Sequence, residues 1–231
     1  EIVEIMGIIQ QTLGENGDLA GKRIMVTAGG TQEAIDPVRY ITNNSSGKMG
    51  YAIAEAARDR GASVTLITTP TALNQVAGVE IVNVRSAQQM KDAVVKTAAK
   101  TDALIMTAAV ADYRPKTTAA RKIKKGAGGL TLELVKTPDI LSEVKGKFVK
   151  VGFAAETEDL LANAKKKLAS KELDIIVAND VTVKGSGFGA DTNKVTILKK
   201  DGKPEDLPLM SKRAVADKIL DNVSKLLKVK K

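Results

Sequence analysis

Apolar runs at 23–28, 63–68, 79–84 and 102–107 alternate with stretches of helical spacing at 47–60 and 86–99. That alternation leaves few folds open: parallel strands joined by right-handed helical crossovers, with helices on both sides of the sheet. The runs are almost continuously apolar, as strands covered on both faces are. Further runs at 147–153 and 174–178, with helices expected over 156–170 and 211–227, extend the pattern. The sequence therefore predicts an α/β protein. Its sheet would be doubly wound, mostly parallel and Rossmann-like, with helices on both faces and a long basic loop plus extra strands.

Several segments need separate treatment. Residues 1–17 form an expected connector helix and linker. Ile2, Ile5, Met6, Ile9 and Leu13 have helical spacing, and Gly14-Glu15-Asn16-Gly17 breaks it. Residues 18–231 form the main domain. The stretch 111–129 has no apolar period, is long for a connection, and so is a candidate functional loop. Residues 130–135 alternate and read as a strand exposed on one face. Thr137 reads as a helix N-cap with Pro138 in the first helical position. Residues 193–198 read as an edge strand paired across the Lys200-Asp201-Gly202 turn.

Composition removes whole classes of chemistry. The 231 residues include no Cys and no His, which excludes disulfide scaffolds, thiolate sites, Cys nucleophiles, Ser-His-Asp hydrolases and zinc hydrolases. A metal would have to be a hard, oxygen-bound ion such as magnesium. A formal charge of +9 fits a solvated basic surface, an anionic small substrate or nucleic acid. Aromatic residues make up only 3%, too few for a base-stacking platform, so no nucleic-acid partner is expected. No run of 18 apolar residues exists to span a membrane, and no signal peptide is visible; a cytoplasmic location is expected. The start at Glu1 is expected for a piece of a longer polypeptide.

The first strand leads into Gly29-Gly30-Thr31, and Asn43-Asn44-Ser45-Ser46-Gly47-Lys48-Met49-Gly50 opens the following helix. Backbone N–H groups, hydroxyls and a helix N-terminus make an anion pocket; a plain cap by Ser45 or Ser46 is the alternative. The segment is not a dinucleotide fingerprint, and Met49 stands where a Walker A loop needs Ser or Thr. Arg39 could grip an anion or pair structurally with Asp36. Ala108 and Ala109 let a ligand lie against the backbone. Asp112 could orient a ribose, hold magnesium, or start a turn. The run 121–125, flanked by glycines, could close over a triphosphate or be a solvated face.

In order, GKRIMVTAGGTQEAIDPVRYITNNSSGKMG, TAAVADYRP, KIKK, LVKTPDIL, VGFAAET, AND and GFGADTNKV occupy the chain from about Asp18 onward. Together they resemble bacterial phosphopantothenate–cysteine ligase. The resemblance implies amide formation between 4'-phosphopantothenate and L-cysteine with CTP and Mg2+, through an acyl-cytidylate, with release of CMP and pyrophosphate. It implies a homodimer whose basic loop and following strand reach across the interface. It also implies an upstream flavin-dependent decarboxylase in the full-length protein, with no flavin in this piece. By the same resemblance, Asn43, Lys122 and Arg39 are catalytic. Gly29, Gly30, Ser45, Ser46, Gly47, Lys48, Ala108, Ala109, Asp112, Lys122 and Phe153 bind the nucleotide. Arg39, Asn43, Ala108 and Asn179 touch the substrate, Asp180 completes the AND turn, and Asp112 is the metal candidate. Asn44 departs from the family pattern, in which many members carry His. A nicotinamide-dependent reductase is the rival enzyme, but it needs a glycine fingerprint and a Tyr-Lys pair. A basic nucleic-acid-binding module is the rival from another class, and 27 acidic residues count against it.

Overall fold

The computed structural model describes residues 2–126, 128–156, 159–180, 182–183, 185–187, 189–201 and 203–229. In chain order the elements begin with α1 (Ile2–Gly14), β1 (Arg23–Ala28), β2 (Gln32–Ala34), β3 (Tyr40–Thr42) and α2 (Lys48–Arg58). Next come β4 (Ser63–Thr68), β5 (Glu80–Asn83), α3 (Ala87–Ala98), β6 (Ala103–Met106) and β7 (Tyr113–Pro115). Then follow β8 (Leu134–Lys136), α4 (Ile140–Glu143), β9 (Val149–Glu156), α5 (Leu160–Ser170) and β10 (Ile175–Asp180). The chain closes with β11 (Thr192–Asn193), β12 (Val195–Lys199), β13 (Pro204–Asp206), β14 (Met210–Ser211) and α6 (Lys212–Val229).

Eight strands make the main sheet, in the order β13-β12-β10-β9-β6-β1-β4-β5. From β5 to β10 every pairing is parallel, while β12 and β13 join antiparallel. The doubly wound expectation is met. Period 2 explains why the strand runs are apolar throughout: Ile24, Val26 and Ala28 of β1 face one layer, and Met25 faces the other. On the first face α2 and α6 cover the sheet through Ile53, Ala57, Ile219 and Leu220. On the second face α3 and α4 bring Met90, Val94 and Ile140 against Leu104 and Met106, and α5 adds Ala164 and Leu168. Truncating one of the fully buried side chains, such as Ile219, would cost about 2–5 kcal/mol.

Local signals were read well where they were self-contained. Ser86 caps α3 with a full capping box to Gln89. Gly61 adopts φ 85 just after α2, where a glycine stop was expected.

Three expectations are corrected. Of 130–135, only Leu134 and Val135 join a strand, β8, whose pairing with β7 ends at Pro115 opposite Leu134, with one further backbone bond from Lys116 N–H to the Glu133 carbonyl (2.9 Å). Asp139, not Thr137, is the N-cap of α4; the Thr137 hydroxyl instead donates to the Ala111 carbonyl. The strand expected at the edge is β12, which lies between β10 and β13, so β13 is the edge. Gly202 of the expected turn lies outside the described residues.

The chain leaves β1 toward β4 on one side and returns to β6 on the other, so the strand order reverses between β1 and β6. A crevice opens there, at the C-terminal ends of the strands.

Candidate active site

Beyond β1 the backbone turns at Gly29, φ 82, and meets the end of β6. Ala109 N–H donates to the Gly29 carbonyl (2.8 Å), and Thr31 N–H donates to the Ala109 carbonyl (3.3 Å). These bonds lock the two strand ends that flank the crevice. The returning segment 43–47 lies on top of this junction so closely that a Cβ on Gly30 would come 2.6 Å from the Asn43 carbonyl. Gly47, φ 78, is the N-cap of α2 and supplies no side-chain cap. Ser45 Oγ accepts the Gly47 N–H at 3.4 Å, which is not a bond to the N–H groups of the first helical turn. The first turn of α2 thus keeps N–H groups for an anion. Gly50 lets the helix approach the sheet: a Cβ there would lie 2.6 Å from both Ala28 Cβ and Thr107 Oγ1.

The crevice encloses about 630 Å³ and reaches from the first turn of α2, past 107–112, to β9 and α5. Asn43, Ser45, Ser46, Gly47, Lys48, Ala108, Ala109 and Asp112 line it, and so do Phe153 and Asn179. Asn43 bridges its two walls: its Nδ2 donates to the carbonyls of Ala109 (3.4 Å) and Val110 (3.1 Å). Both of its amide donors are thus taken by backbone, and Oδ1 is the atom left for a ligand. Asn179 Oδ1 accepts from the Ser186 hydroxyl (3.1 Å). Asp180 does not line the crevice; it caps the Thr182 N–H (3.0 Å) and hydroxyl (2.6 Å).

Sequence reasoning missed the cations of the far wall. Lys136, Lys167 and Lys171 line the crevice, and Lys171 Nζ lies 3.2 Å from Asp139 Oδ1. Burial pushes the Asp139 carboxyl up, but Ser142 and Lys171 outweigh it and hold the group below its ordinary value. Lys212, buried at the start of α6, also lines the crevice; burial pushes its ammonium pKa down, and nearby Lys48 adds to that. Lys48 pairs with Asp191 (2.6 Å), whose carboxyl it holds below the ordinary range. Lys212 and Asp191 lie more than a hundred residues from the 43–50 turn; Asp191 falls within GFGADTNKV but was given no role, and Lys212 lies in none of the quoted motifs.

Four expected site residues do not line this crevice: Gly29, Gly30, Arg39 and Lys122. The two glycines lie beneath the turn that does. Arg39 forms the structural alternative, with Nη2 at 2.6 Å and Nε at 3.1 Å from Oδ2 of buried Asp36. Arg39 Nη2 also donates to the Ile123 carbonyl (2.9 Å), while Ile123 N–H donates to Asp36 Oδ2 (3.1 Å). The arm that carries exposed Lys122 is therefore fastened to Asp36 and Arg39. With Arg39 beside it, the Asp36 carboxyl is held far below the usual carboxylate range.

Among the described residues no group of three His, Cys, Asp or Glu could cage a metal. Asp112 is exposed on the crevice and has no ion-pair partner among the described residues. One such carboxylate suits magnesium, which commonly takes one or two carboxylates and binds mainly through a nucleotide's phosphates.

Comparison with known proteins agrees with this geometry. The Coenzyme A biosynthesis bifunctional protein CoaBC of Bacillus subtilis (strain 168) is 54% identical over 214 residues, which are 91% of this chain and 53% of that protein. CoaBC of Mycobacterium tuberculosis (strain CDC 1551 / Oshkosh) is 48% identical over 221 residues, 89% of this chain and 53% of that protein. The chain thus spans about half the length of the curated relatives it matches. A crystal structure of the C-terminal domain of CoaBC matches at 46% identity and TM-score 0.79, covering 92% of this chain and 98% of that one. The family model for the DNA/pantothenate metabolism flavoprotein C-terminal domain matches residues 19–227, and the chain belongs to that family.

Proposed function

We propose that this domain joins 4'-phosphopantothenate to L-cysteine at the expense of CTP. The observation that carries the proposal is the crevice itself. A helix first turn whose N-cap is a glycine faces the backbone at the end of β6 across it, and Asn43 spans the gap. The naming of the CoaBC relatives for coenzyme A biosynthesis supports the substrate class.

In the first half-reaction a carboxylate oxygen of phosphopantothenate attacks the α-phosphorus of CTP. The bond from that phosphorus to the bridging oxygen breaks, and pyrophosphate leaves. In the second, the cysteine amine attacks the acyl carbon, the acyl C–O bond breaks, CMP leaves with the electron pair, and the amine proton goes to solvent. Neither step needs His or Cys; positioning and charge stabilisation carry both.

The first turn of α2, with Ser45, Ser46, Gly47 and Lys48, receives phosphate oxygens. Small Ala108 and Ala109 let the acyl-cytidylate lie along the strand end. Phe153 packs against the nucleotide, and Lys167 and Lys171 give the far half of the crevice its positive charge. Asn43 Oδ1 accepts from the incoming amine, because its Nδ2 is engaged with Ala109 and Val110. Asn179 touches the substrate from the opposite wall. Asp112 is the carboxylate to hold magnesium, which when bound spreads the triphosphate charge.

Arg39 and Lys122 serve the crevice of a second copy. Their arm is tied down on its own chain by Asp36, and neither residue lines its own crevice. The proposed state is a homodimer, with the decarboxylase half of the full-length protein upstream.

Pyrophosphate release from CTP, with phosphopantothenate and cysteine omitted in turn, tests the proposal. Release should require phosphopantothenate, and sustained turnover should require cysteine. Absence of release with both CTP and ATP would refute it.

A further inference from the structure

Two lysines join the crevice to the loop residues 185–187 and 189–193, and they hold them differently. Lys212 binds backbone: its ammonium donates to the carbonyls of Gly187 (3.0 Å) and Ala190 (2.5 Å), and its N–H donates to the Asp191 carbonyl (2.9 Å). Lys48, in the first turn of α2, donates to the Gly189 carbonyl (3.1 Å) and pairs with Asp191 Oδ1 at 2.6 Å. The Asp191 side chain is 88% exposed, against 34% for Lys48. The loop backbone is thus fastened by a buried ammonium. The Asp191 carboxylate reaches from it to Lys48 and has no second partner among the described residues.

We propose that Asp191 is an internal competitor for the phosphate end of the crevice, neutralising Lys48 while the site is empty and yielding it to an arriving phosphate group. An exposed ion pair is weak, and a phosphate group carries up to about two negative charges where a carboxylate carries one. The exchange needs only a side-chain rotation, since Lys212 keeps the loop in place. Without Asp191, the helix terminus and Lys48 would hold inorganic phosphate and spent products as firmly as substrate. With it, every binding event breaks an ion pair and every release restores one.

The proposal rests on the ligase reading only for which phosphate arrives, that of phosphopantothenate or those of CTP. The exchange itself concerns Lys48, Asp191 and any phosphate oxyanion.

Titration calorimetry with inorganic phosphate on wild type, Asp191→Asn, Lys48→Met and the double variant tests it. Asp191→Asn should bind phosphate roughly two- to fivefold more tightly, the size of an exposed ion pair. Lys48→Met should bind it more weakly, and in that background the Asp191→Asn gain should vanish. An unchanged or weaker affinity in Asp191→Asn, the same gain without Lys48, or no phosphate binding by any of the four proteins would overturn the proposal. Repeating the titration with CTP, phosphopantothenate and pantothenate identifies the natural source. The ligand that gains is the one whose phosphate enters, and a gain for pantothenate, which has no phosphate, would also overturn it. Ligation assayed in the same proteins separates the two ideas: phosphate exchange without ligation refutes the ligase and leaves Asp191 in its role.

Discussion

Asn43 and Ala108 sit on turns bonded to the buried ends of β1 and β6, whereas Lys122 sits on an arm fastened by Asp36 and Arg39. Among the described residues, none from 112 to 136 joins the buried clusters of the core. The crevice inherits its shape from the sheet, so a substitution there acts at fixed distances. The arm carries charge on a platform held by polar contacts, so it can be changed without unfolding the domain. Groups that must be placed within a fraction of an ångström belong on the first kind of support. Groups that supply positive charge to a neighbour can ride on the second.

The sharpest way to break that contrast is Asn43→Ala. Turnover should fall by about 10²-fold or more, the loss typical of removing one preorganised polar group. CTP binding, followed by thermal shift, should stay within a few-fold of wild type. Undiminished turnover would take Asn43 out of the catalytic set.

Lys122→Ala should lower turnover by roughly 10- to 100-fold as an electrostatic loss. Its melting temperature should match wild type, because the side chain is exposed. A lowered melting temperature would mean that the arm supports the fold after all.

Gly50→Ala probes the support of the crevice rather than its chemistry. The new methyl would crowd Ala28 and Thr107, so unfolding in urea should show a loss of about 1–3 kcal/mol. An unchanged midpoint would show that α2 can back away from the sheet.

The smallest effect belongs to the arm's tether under acid. Arg39 depresses the Asp36 carboxyl below its ordinary value of 3.8. The tether therefore contributes fully above that value, and its contribution is lost as pH falls below 3.8 toward the depressed folded value. Hydrogen-exchange protection of the Ile123 amide should decline in that window, while amides of β1 keep theirs. Equal decline in both would erase the difference between arm and sheet.

The same division decides what the sequence could reveal. The run 23–28 with its glycine turn, and Ser86 with Gln89, specify local structure from neighbouring residues alone, and β1 and α3 formed where expected. Leu130–Glu133 alternate as a strand would, yet strands form by pairing, and β7 meets only Leu134–Lys136. Thr137 looks like a cap until the Ala111 carbonyl, 26 residues earlier, takes its hydroxyl. The turn that opens α2 on the crevice was legible because its residues are consecutive. Lys167, Lys171 and Lys212 were not, because only the completed sheet brings α5 and α6 to the same crevice.

The central claim is that a crevice on one copy works with the arm of another. Co-expressing Asn43→Ala with Lys122→Ala, and assaying the mixed dimers for cysteine-dependent turnover, tests it most directly. One intact site of the two in each mixed dimer should restore about half of wild-type turnover from two nearly inactive parents. Activity no greater than the sum of the parents would show that the arm does not serve its partner's crevice.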